Sequence, residues 1–416
     1  MKEACGLKRS CLAFLGLAYA ISSLAIPQAQ DWPQFLGPHR NGSCADQKLA
    51  TQWPADGPKR LWRLPAGQGF SGPVAVSTQA FLFHRLGDKE VVESLRITTG
   101  ERLWRFDYAA AYRDDFGFDE GPKSTPAVSE DAIYTMGADG AVHCLQATSG
   151  KMKWSANVKS LYSAPKGFFG IACSPLLAGE ALLLNIGGAN GAGVIALDRK
   201  SGALLWKALD DEASYSSPVL ATVENHLWSF FLSRSGLAAI NPVDGSVPDR
   251  FPWRARAFTS IHGATPIVVS NQVFISSSYD TGAALLAFDG KKFRKIWSSD
   301  KVLSNHYATS VYYEGHLYGY DGRQEEGPSL ACVEWATGKS KWRKEGLGSG
   351  TITLSGNTLL ILNERGELIR ARASPSGYAE LGRAQILSAG TRAYPALANG
   401  LFIAKGKDSL VCFDLR

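Results

Sequence analysis

Six polar side chains recur at equivalent places in a sequence that repeats itself. His262 lies four residues before Pro266, and His306 lies four residues before Ser310, where each later residue opens a short apolar run. Three residues before such a position stand four further side chains: Lys123, Tyr215, Tyr307 and Arg392. Ammonium, guanidinium, imidazole and phenol groups at one mouth would bind a small anionic or polyhydroxy ligand, or an acidic side chain of a partner.

The same residues have a second interpretation, as ordinary polar side chains that line a water-filled channel. The sequence leaves both open. If the two imidazoles are neighbours, double protonation is disfavoured, and the pKa of each is lower than that of an isolated histidine. Anion binding would then strengthen as the pH falls toward about 6.

Two segments imitate nucleotide-binding motifs. The stretch "GAGVIA" at 191–196 matches a dinucleotide loop, but such a loop leads into a helix, and here the apolar run continues as a strand. The stretch "GKS" at 338–340 imitates a phosphate-binding loop, but Val333 stands where that loop needs glycine. We interpret both as parts of the repeat.

An acidic stretch, "RDDFGFDE" at 113–120, lies in the longest segment between two repeats. Its spacing fits no calcium loop, so a solvated loop is the favoured interpretation. The alternative is a cation site built from Asp114, Asp115, Asp119 and Glu120.

The elements that position these side chains are repeated strands. Eight apolar runs, each opened by a small residue or proline, are separated by 41 to 53 residues. Proline is tolerated at the start or the edge of a sheet, where its missing N–H costs no ladder hydrogen bond. The opening residues are Pro73, Pro126, Pro175, Pro218, Pro266, Ser310, Thr351 and Pro395.

A second motif follows the apolar runs. Its best copy is "ALDRKSGALLW" at 196–206, with relatives at 94–104, 144–154, 287–297 and 332–342. The central glycine reaches positive φ without strain, so each copy is a strand, a tight turn and a strand. Four short strands per repeat predict an all-β fold, an eight-bladed β-propeller of four-stranded antiparallel blades. The propeller domain is assigned to residues 59–416.

The two ends of the repeat complete each other. The eighth repeat stops after three strands, and the missing outer strand, "KRLW", stands at 59–62. We expect this strand to close the ring, which removes an open sheet edge. Repeat seven has no tryptophan and is expected to form the least regular blade. The outer strands carry tryptophans expected to pack between blades: Trp62, Trp104, Trp154, Trp206, Trp253, Trp297 and Trp342.

The first 29 residues differ from the rest. Lys8 and Arg9 precede an apolar run that ends near Ile26, an order typical of a secretory signal peptide cleaved after Ala25 or Ala29. We therefore predict a periplasmic or secreted protein with a lead-in segment at 30–58. No later segment predicts a membrane helix.

Charge and cysteine content narrow the function. The formal net charge is only +6, without basic runs, which disfavours nucleic acid as a partner. Five cysteines remain beyond residue 29, none adjacent and none in C-x-x-C spacing, which disfavours a disulfide framework or a zinc site.

The motif at 196–206 and the opening "DWPQFLGPHRNG" resemble the pyrroloquinoline-quinone (PQQ) family of eight-bladed propellers, over roughly residues 31–416. That family includes quinoprotein dehydrogenases, which hold PQQ and calcium on the axis. It also includes non-enzymatic members such as the assembly lipoprotein BamB.

The resemblance implies two possible functions. The favoured one is a non-catalytic, monomeric binding or assembly scaffold of the bacterial envelope, with no cofactor, no metal, and an envelope protein or a small ligand as its partner. The alternative is a PQQ-dependent oxidoreductase with a degenerate site. The sequence has no Cys-Cys pair, and the mouth positions hold no Asp or Glu, which weighs against the enzyme.

Overall fold

A computed structural model describes Met1 and residues 30–129, 131–257, 260 and 262–416. The predicted signal peptide lies outside these residues. The described chain forms eight sheets of four antiparallel strands arranged as propeller blades, which confirms the predicted fold class. Among the described residues, helix is confined to Val158–Leu161 and a 3-10 turn at Gln324–Glu326. No helix in the described part of the chain is long and apolar enough to cross a membrane.

Strands within each blade run from the ring axis outward, in chain order. Blade 1 consists of Val74–Val76, Gln79–Leu86, Lys89–Arg96 and Arg102–Ala109. Blade 2 consists of Ala127–Val128, Ala132–Met136, Ala141–Gln146 and Met152–Asn157. Blade 3 consists of Leu176–Ala178, Ala181–Asn185, Val194–Asp198 and Leu204–Ala208. Blade 4 consists of Val219–Val223, His226–Leu232, Gly236–Ile240 and Asp249–Pro252.

The second half repeats this plan with small variations at its end. Blade 5 consists of Ile267–Val269, Gln272–Ser277, Gly282–Phe288 and Phe293–Ser299. Blade 6 consists of Val311–Tyr313, His316–Asp321, Ser329–Glu334 and Ser340–Lys344. Blade 7 consists of Gly350–Ser355, Thr358–Asn363, Glu367–Arg372 and Ala379–Gln385, with Ser43–Cys44 added in parallel to its inner strand. Blade 8 consists of Ala396–Ala398, Leu401–Lys405, Ser409–Asp414 and Lys59–Pro65.

The ring closes as the sequence predicts. Lys59–Pro65 pairs antiparallel with Ser409–Asp414, and Trp62 lies opposite Cys412. The first propeller strand thus supplies the outer strand of the last blade, and the two chain ends lock one another into the sheet.

The strand order divides the ring into two faces. Loops that join one blade to the next, and turns between second and third strands, lie on one face, which we call the connection face. Turns between first and second strands, and between third and fourth strands, lie on the other. We call this second face the tryptophan face, because the repeated motif places its turn and its tryptophan there.

Tryptophan rings on that face contact the following blade. The indole N–H of Trp154 donates to the carbonyl of Arg199 at 3.0 Å, and a Cβ on Gly202 would lie 2.7 Å from the Trp154 ring. Only glycine fits the turn at this distance. The same N–H to carbonyl bond, at 2.8–3.1 Å, is made by Trp62, Trp104, Trp206, Trp297 and Trp342.

Trp253 differs from the other six. Its indole nitrogen is buried and meets no acceptor within the described residues. In the next blade the turn is "DGKK", in which Gly290 comes three positions earlier than the motif glycine, and a Cβ on Gly290 would meet only Glu224, at 3.9 Å. In this altered turn, no glycine packs against the Trp253 ring and no carbonyl accepts from its indole N–H.

Blade 7 corrects the expectation that it would be the least regular. Gly382 lies opposite Arg370, where the neighbouring blade pairs Trp342 with Cys332. The missing ring is replaced from the lead-in segment, because the Arg370 guanidinium lies 4.8 Å from the Trp53 ring centroid and donates to the carbonyl of Thr51. The four strands of blade 7 are six or seven residues long and fully paired.

The position of the lead-in segment also contradicts the expectation of a water-filled channel along the ring axis. Trp32 forms a bridge with Ala75 in blade 1, and Phe35 packs edge-on against Tyr394 at 5.0 Å beside blade 8. In blade 7 the Leu354 N–H donates to the carbonyl of Gly42 at 2.8 Å. The chain itself therefore fills the space between the inner strands.

Arg40 is the polar centre of this plug. Its side chain is buried, and its guanidinium donates to the carbonyls of Pro218 at 2.7 Å, Pro175 at 2.9 Å and Ser174 at 3.1 Å. Burial lowers the pKa of Arg40 to about 10, so the group stays charged at neutral pH. The plug is thereby tied to the inner strands of blades 3 and 4.

Candidate functional site

All six side chains predicted from the sequence lie in blade-to-blade loops on the connection face, and they fall into separate groups. Tyr215 and His262 form the first group, in neighbouring loops, where the Tyr215 N–H donates to the His262 carbonyl at 3.0 Å. The Tyr215 hydroxyl accepts a bond of 2.9 Å from the Phe169 N–H. Both side chains line one cavity, described below.

His306 belongs to a second group. Its Nε2 lies 2.9 Å from the Tyr279 hydroxyl, and the Tyr279 ring lies 4.9 Å from the guanidinium of Arg323. Burial lowers the pKa of His306. The imidazole is held against blade 5, so it does not face His262 across a shared site.

Glu364 unites two of the predicted residues. Its carboxylate accepts from the Tyr307 hydroxyl at 2.9 Å and pairs with Arg392 at 3.0 Å. The amide of Gln324 completes the group, with its nitrogen toward Glu364 and its oxygen toward Arg392. The guanidinium that was expected to meet an anionic ligand is thus already neutralised by the protein.

Within the described part of the chain, Lys123 makes no ion pair with these groups and approaches Arg392 only through Phe70, whose ring centroid lies 5.9 Å from the ammonium and 5.7 Å from the Arg392 guanidinium. The Lys123 ammonium donates to the carbonyls of Asp119 at 2.6 Å and Gly121 at 2.7 Å, and lies 4.9 Å from the Tyr112 ring centroid. Burial lowers the pKa of Lys123. The side chain holds its own loop in place.

The expected pH response requires correction. Burial, with Arg234 and Arg254 nearby, lowers the pKa of His262 to about 4, and the second histidine is not the cause. His262 therefore stays neutral at pH 6 as at pH 8. Anion binding that strengthens toward pH 6 is not expected from this residue.

One cavity of about 300 Å³ lies between blades 3 and 4 on the connection face. The loops that lead into blades 3, 4 and 5 form its walls, and Ile186 and Arg234 come from the turns between second and third strands. Its lining is mainly apolar. The residues that matter for its chemistry are Phe168, Ile171, Ile186, Tyr215, Arg234 and His262.

Beside the cavity lies a group of phenylalanines that the sequence analysis missed. Phe116 and Phe118 are 52% and 66% exposed, and their rings stack at 6.3 Å. Phe116 also contacts Phe169 at 5.4 Å, and Phe169 contacts Tyr215 at 5.7 Å. We call Phe116, Phe118, Phe168 and Phe169 the aromatic cluster.

The acidic stretch at 113–120 presents these rings. The Asp114 carboxylate accepts from the backbone N–H groups of Phe116, Phe118 and Asp119, which folds the loop upon itself. Asp115 pairs with Lys166 at 2.6 Å. The carboxylates are thus engaged with the protein, and no cluster of three metal-ligating side chains occurs among the described residues.

Residues here do not fit PQQ with calcium on the axis. Trp32 and Arg40 occupy the space between the inner strands, and the cation of Arg392 is committed to Glu364. The cysteines at 44, 144, 173, 332 and 412 are all free, so no vicinal disulfide is available to pack on a quinone.

The fold and the repeated turn define the class: an eight-bladed propeller of PQQ-like repeats. The family model of the outer membrane protein assembly factor BamB matches residues 88–344, and the chain belongs to this family. The BamB of Moranella endobia (strain PCIT) is 24% identical over 264 residues, 61% of this chain. The match spans 64% of that relative's length.

Solved structures agree on the architecture. BamB from Moraxella catarrhalis superposes with a TM-score of 0.63 at 14% identity, covering 86% of this chain and 98% of that one. The quinohemoprotein alcohol dehydrogenase from Comamonas testosteroni gives a TM-score of 0.66 at 12% identity, covering 93% and 80%. At these identities the similarity establishes the fold alone.

Proposed function

We propose that the protein is an exported, non-catalytic assembly factor of the cell envelope that binds an envelope protein through its connection face. The observation that carries this proposal is the aromatic cluster. Its two outer rings, Phe116 and Phe118, are more than half exposed and lie side by side. Exposed aromatic groups are typical of protein interfaces, where they bury large areas at a low entropic cost.

Family membership supports the identity of the partner. The family is described as an outer membrane protein assembly factor, so a component of that assembly, or one of its client proteins, is the expected partner. The fold offers a rigid platform for such a role, because eight paired blades hold the loops of the connection face in fixed positions.

Site-specific crosslinking tests the proposal. A photoreactive phenylalanine analogue placed at 118 should capture an outer-membrane assembly component or client in envelope extracts. The matched control is position 243, because Val243 is 82% exposed on the tryptophan face. Capture of the same proteins from both positions, or binding of the captured protein that survives Phe118→Ser unchanged, would contradict the proposal.

The remaining parts of the proposal have direct tests. Cell fractionation should find the protein in the periplasm or the medium, and sedimentation should find a monomer. Added PQQ and calcium should give no dye reduction with alcohols or sugars, since the axis is filled by the lead-in segment. Clear turnover would overturn the non-catalytic assignment.

A further inference from the structure

The cavity between blades 3 and 4 contains a buried donor without an acceptor. The Ala255 N–H donates to His262 Nε2 at 3.2 Å, so the neutral ring carries its proton on Nδ1. That atom is buried and makes no hydrogen bond with any described residue. The Ser233 backbone is near enough to favour the protonated ring, but it lies outside hydrogen-bond geometry.

An unsatisfied donor at this depth is informative. His262 is 1% exposed, and a buried polar group that lacks a partner is costly unless a ligand or water completes it. The ring also lines the cavity, so an acceptor placed in the cavity would meet it.

The charges around the cavity favour an anion. Arg234 pairs with Glu212 at 3.0 Å, and its guanidinium lies 5.7 Å from the Phe168 ring centroid. Lys166 also lines the cavity and pairs with Asp115 at 2.6 Å outside it. Each of these cations therefore has a carboxylate partner, and the positive potential at His262 comes from Arg234 together with Arg254.

The remaining walls favour a flat apolar body. Ile171 and Ile186 are buried, and the rings of Phe168 and Tyr215 stand at the sides. A volume of about 300 Å³ lies at the lower end of the range for small-molecule sites. It suits a single ring with a short side arm rather than a cofactor or a nucleotide.

We propose that this cavity binds a small carboxylic acid with a planar apolar body. The carboxylate accepts from His262 Nδ1 and from the Arg234 guanidinium, and the apolar body lies between Phe168 and Tyr215. The site is separate from the ring axis and shares Phe168 with the aromatic cluster, but the proposal of a bound acid does not rest on the assembly function proposed above.

Phenylacetate tests the site, with phenylacetamide as the uncharged probe of equal shape. Calorimetry on the full-length protein should show that phenylacetate binds. The dissociation constant of phenylacetamide should be larger by a factor of about ten or more. His262→Phe, which removes the donor but keeps a ring, should weaken phenylacetate by a similar factor. The matched control is His306→Phe, whose ring is partly buried and has its Nε2 bonded to Tyr279.

A second measurement uses only the parent protein, so it still tests the site if the variants fold poorly. In the parent protein, labelled with ¹⁵N in its histidines, phenylacetate should shift the Nδ1 resonance of His262 and leave that of His306 in place. No binding at millimolar phenylacetate, equal binding of acid and amide, or an unmoved Nδ1 resonance at saturation would each overturn the proposal.

Discussion

On the tryptophan face, the buried donor of Trp154 meets the carbonyl of Arg199 at 3.0 Å, and Gly202 fits closely against its ring. On the connection face, the buried donor of His262 meets no acceptor among the described residues, and Phe118 is 66% exposed. The indole N–H to carbonyl bond recurs at six of the seven motif tryptophans, with Trp253 as the exception, whereas the second arrangement combines an unpaired buried donor with exposed aromatic rings beside one cavity. The repeated contacts satisfy most of the buried tryptophan donors and stabilise the ring, whereas on the connection face an unsatisfied donor and exposed rings lie where a partner or ligand would complete them.

Removing the lead-in and the closing strand should have the largest effect, because it acts on both faces. Deleting residues 31–64 removes the Arg40 plug, Trp53 and the outer strand of blade 8. We expect aggregation or a much lower melting temperature, since a long sheet edge is exposed. Size-exclusion chromatography and thermal unfolding measure this. A truncated protein as soluble and stable as the parent would refute the closed ring.

Arg40→Met tests the plug alone. It keeps most of the volume but leaves the carbonyls of Ser174, Pro175 and Pro218 without their donor. We expect a loss of about 3 kcal/mol in the free energy of unfolding, because buried polar groups lose their partners. Chemical denaturation measures it. Lys48→Met, at an exposed position later in the same segment, is the control and should change little.

The same substitution, glycine to alanine, can be made on each face to compare how tightly the two faces are packed. Gly202 on the tryptophan face and Gly191 on the connection face have nearly equal φ, +75° and +77°. A Cβ at 202 meets the Trp154 ring at 2.7 Å, whereas a Cβ at 191 meets nothing within 4 Å. Gly191→Ala should cost about 1 kcal/mol for backbone strain alone. Gly202→Ala should cost at least about 1 kcal/mol more, and equal losses would argue against the tryptophan contact.

Acid should destabilise the protein through its buried histidines. Burial lowers the pKa of His143 and His262 to about 4, from the model-peptide value of 6.5 that applies to the unfolded chain. Between pH 6.5 and 4 these histidines are protonated in the unfolded chain but neutral in the folded chain. The free energy of unfolding therefore decreases as the pH falls through this range. Each histidine can contribute up to about 3 kcal/mol.

Glu90 acts in the opposite direction, because burial raises its pKa. The test therefore compares variants rather than the parent profile alone. His143→Phe should flatten the fall in melting temperature between pH 6.5 and 4, while His226→Phe, at an exposed position on the tryptophan face, should leave it unchanged. Identical slopes would show that His143 is not a source of the acid sensitivity.

The periodicity of the sequence was sufficient to predict the ring of blades but not to predict the contacts of the candidate site. The number of blades and the closing strand follow from motifs that recur at 41 to 53 residues, so each copy supports the others. The plug occurs once, and its contact between Arg40 and Pro218 joins residues 178 positions apart. No repeat could reveal it.

In the candidate site, too, the repeated positions could be predicted from the sequence and their partners could not. Counting from the repeat placed six polar residues on one face, but three of them have partners in turns between second and third strands: Glu364 for Tyr307 and Arg392, and Tyr279 for His306. Those turns were not aligned with the loops, although the antiparallel order brings both to the same face. The exposed rings of Phe116 and Phe118 were overlooked because the acidic residues around them suggested a solvated loop.

The most direct test of the separation between faces is a paired measurement on Phe118→Ser and Gly202→Ala. For each variant, calorimetry gives the affinity for the envelope protein captured at position 118, and thermal unfolding gives the stability. The account predicts that Phe118→Ser weakens binding about tenfold or more at an almost unchanged melting temperature, and that Gly202→Ala lowers the melting temperature while the folded protein binds normally. Unchanged binding by Phe118→Ser, or lost binding by folded Gly202→Ala, would contradict it.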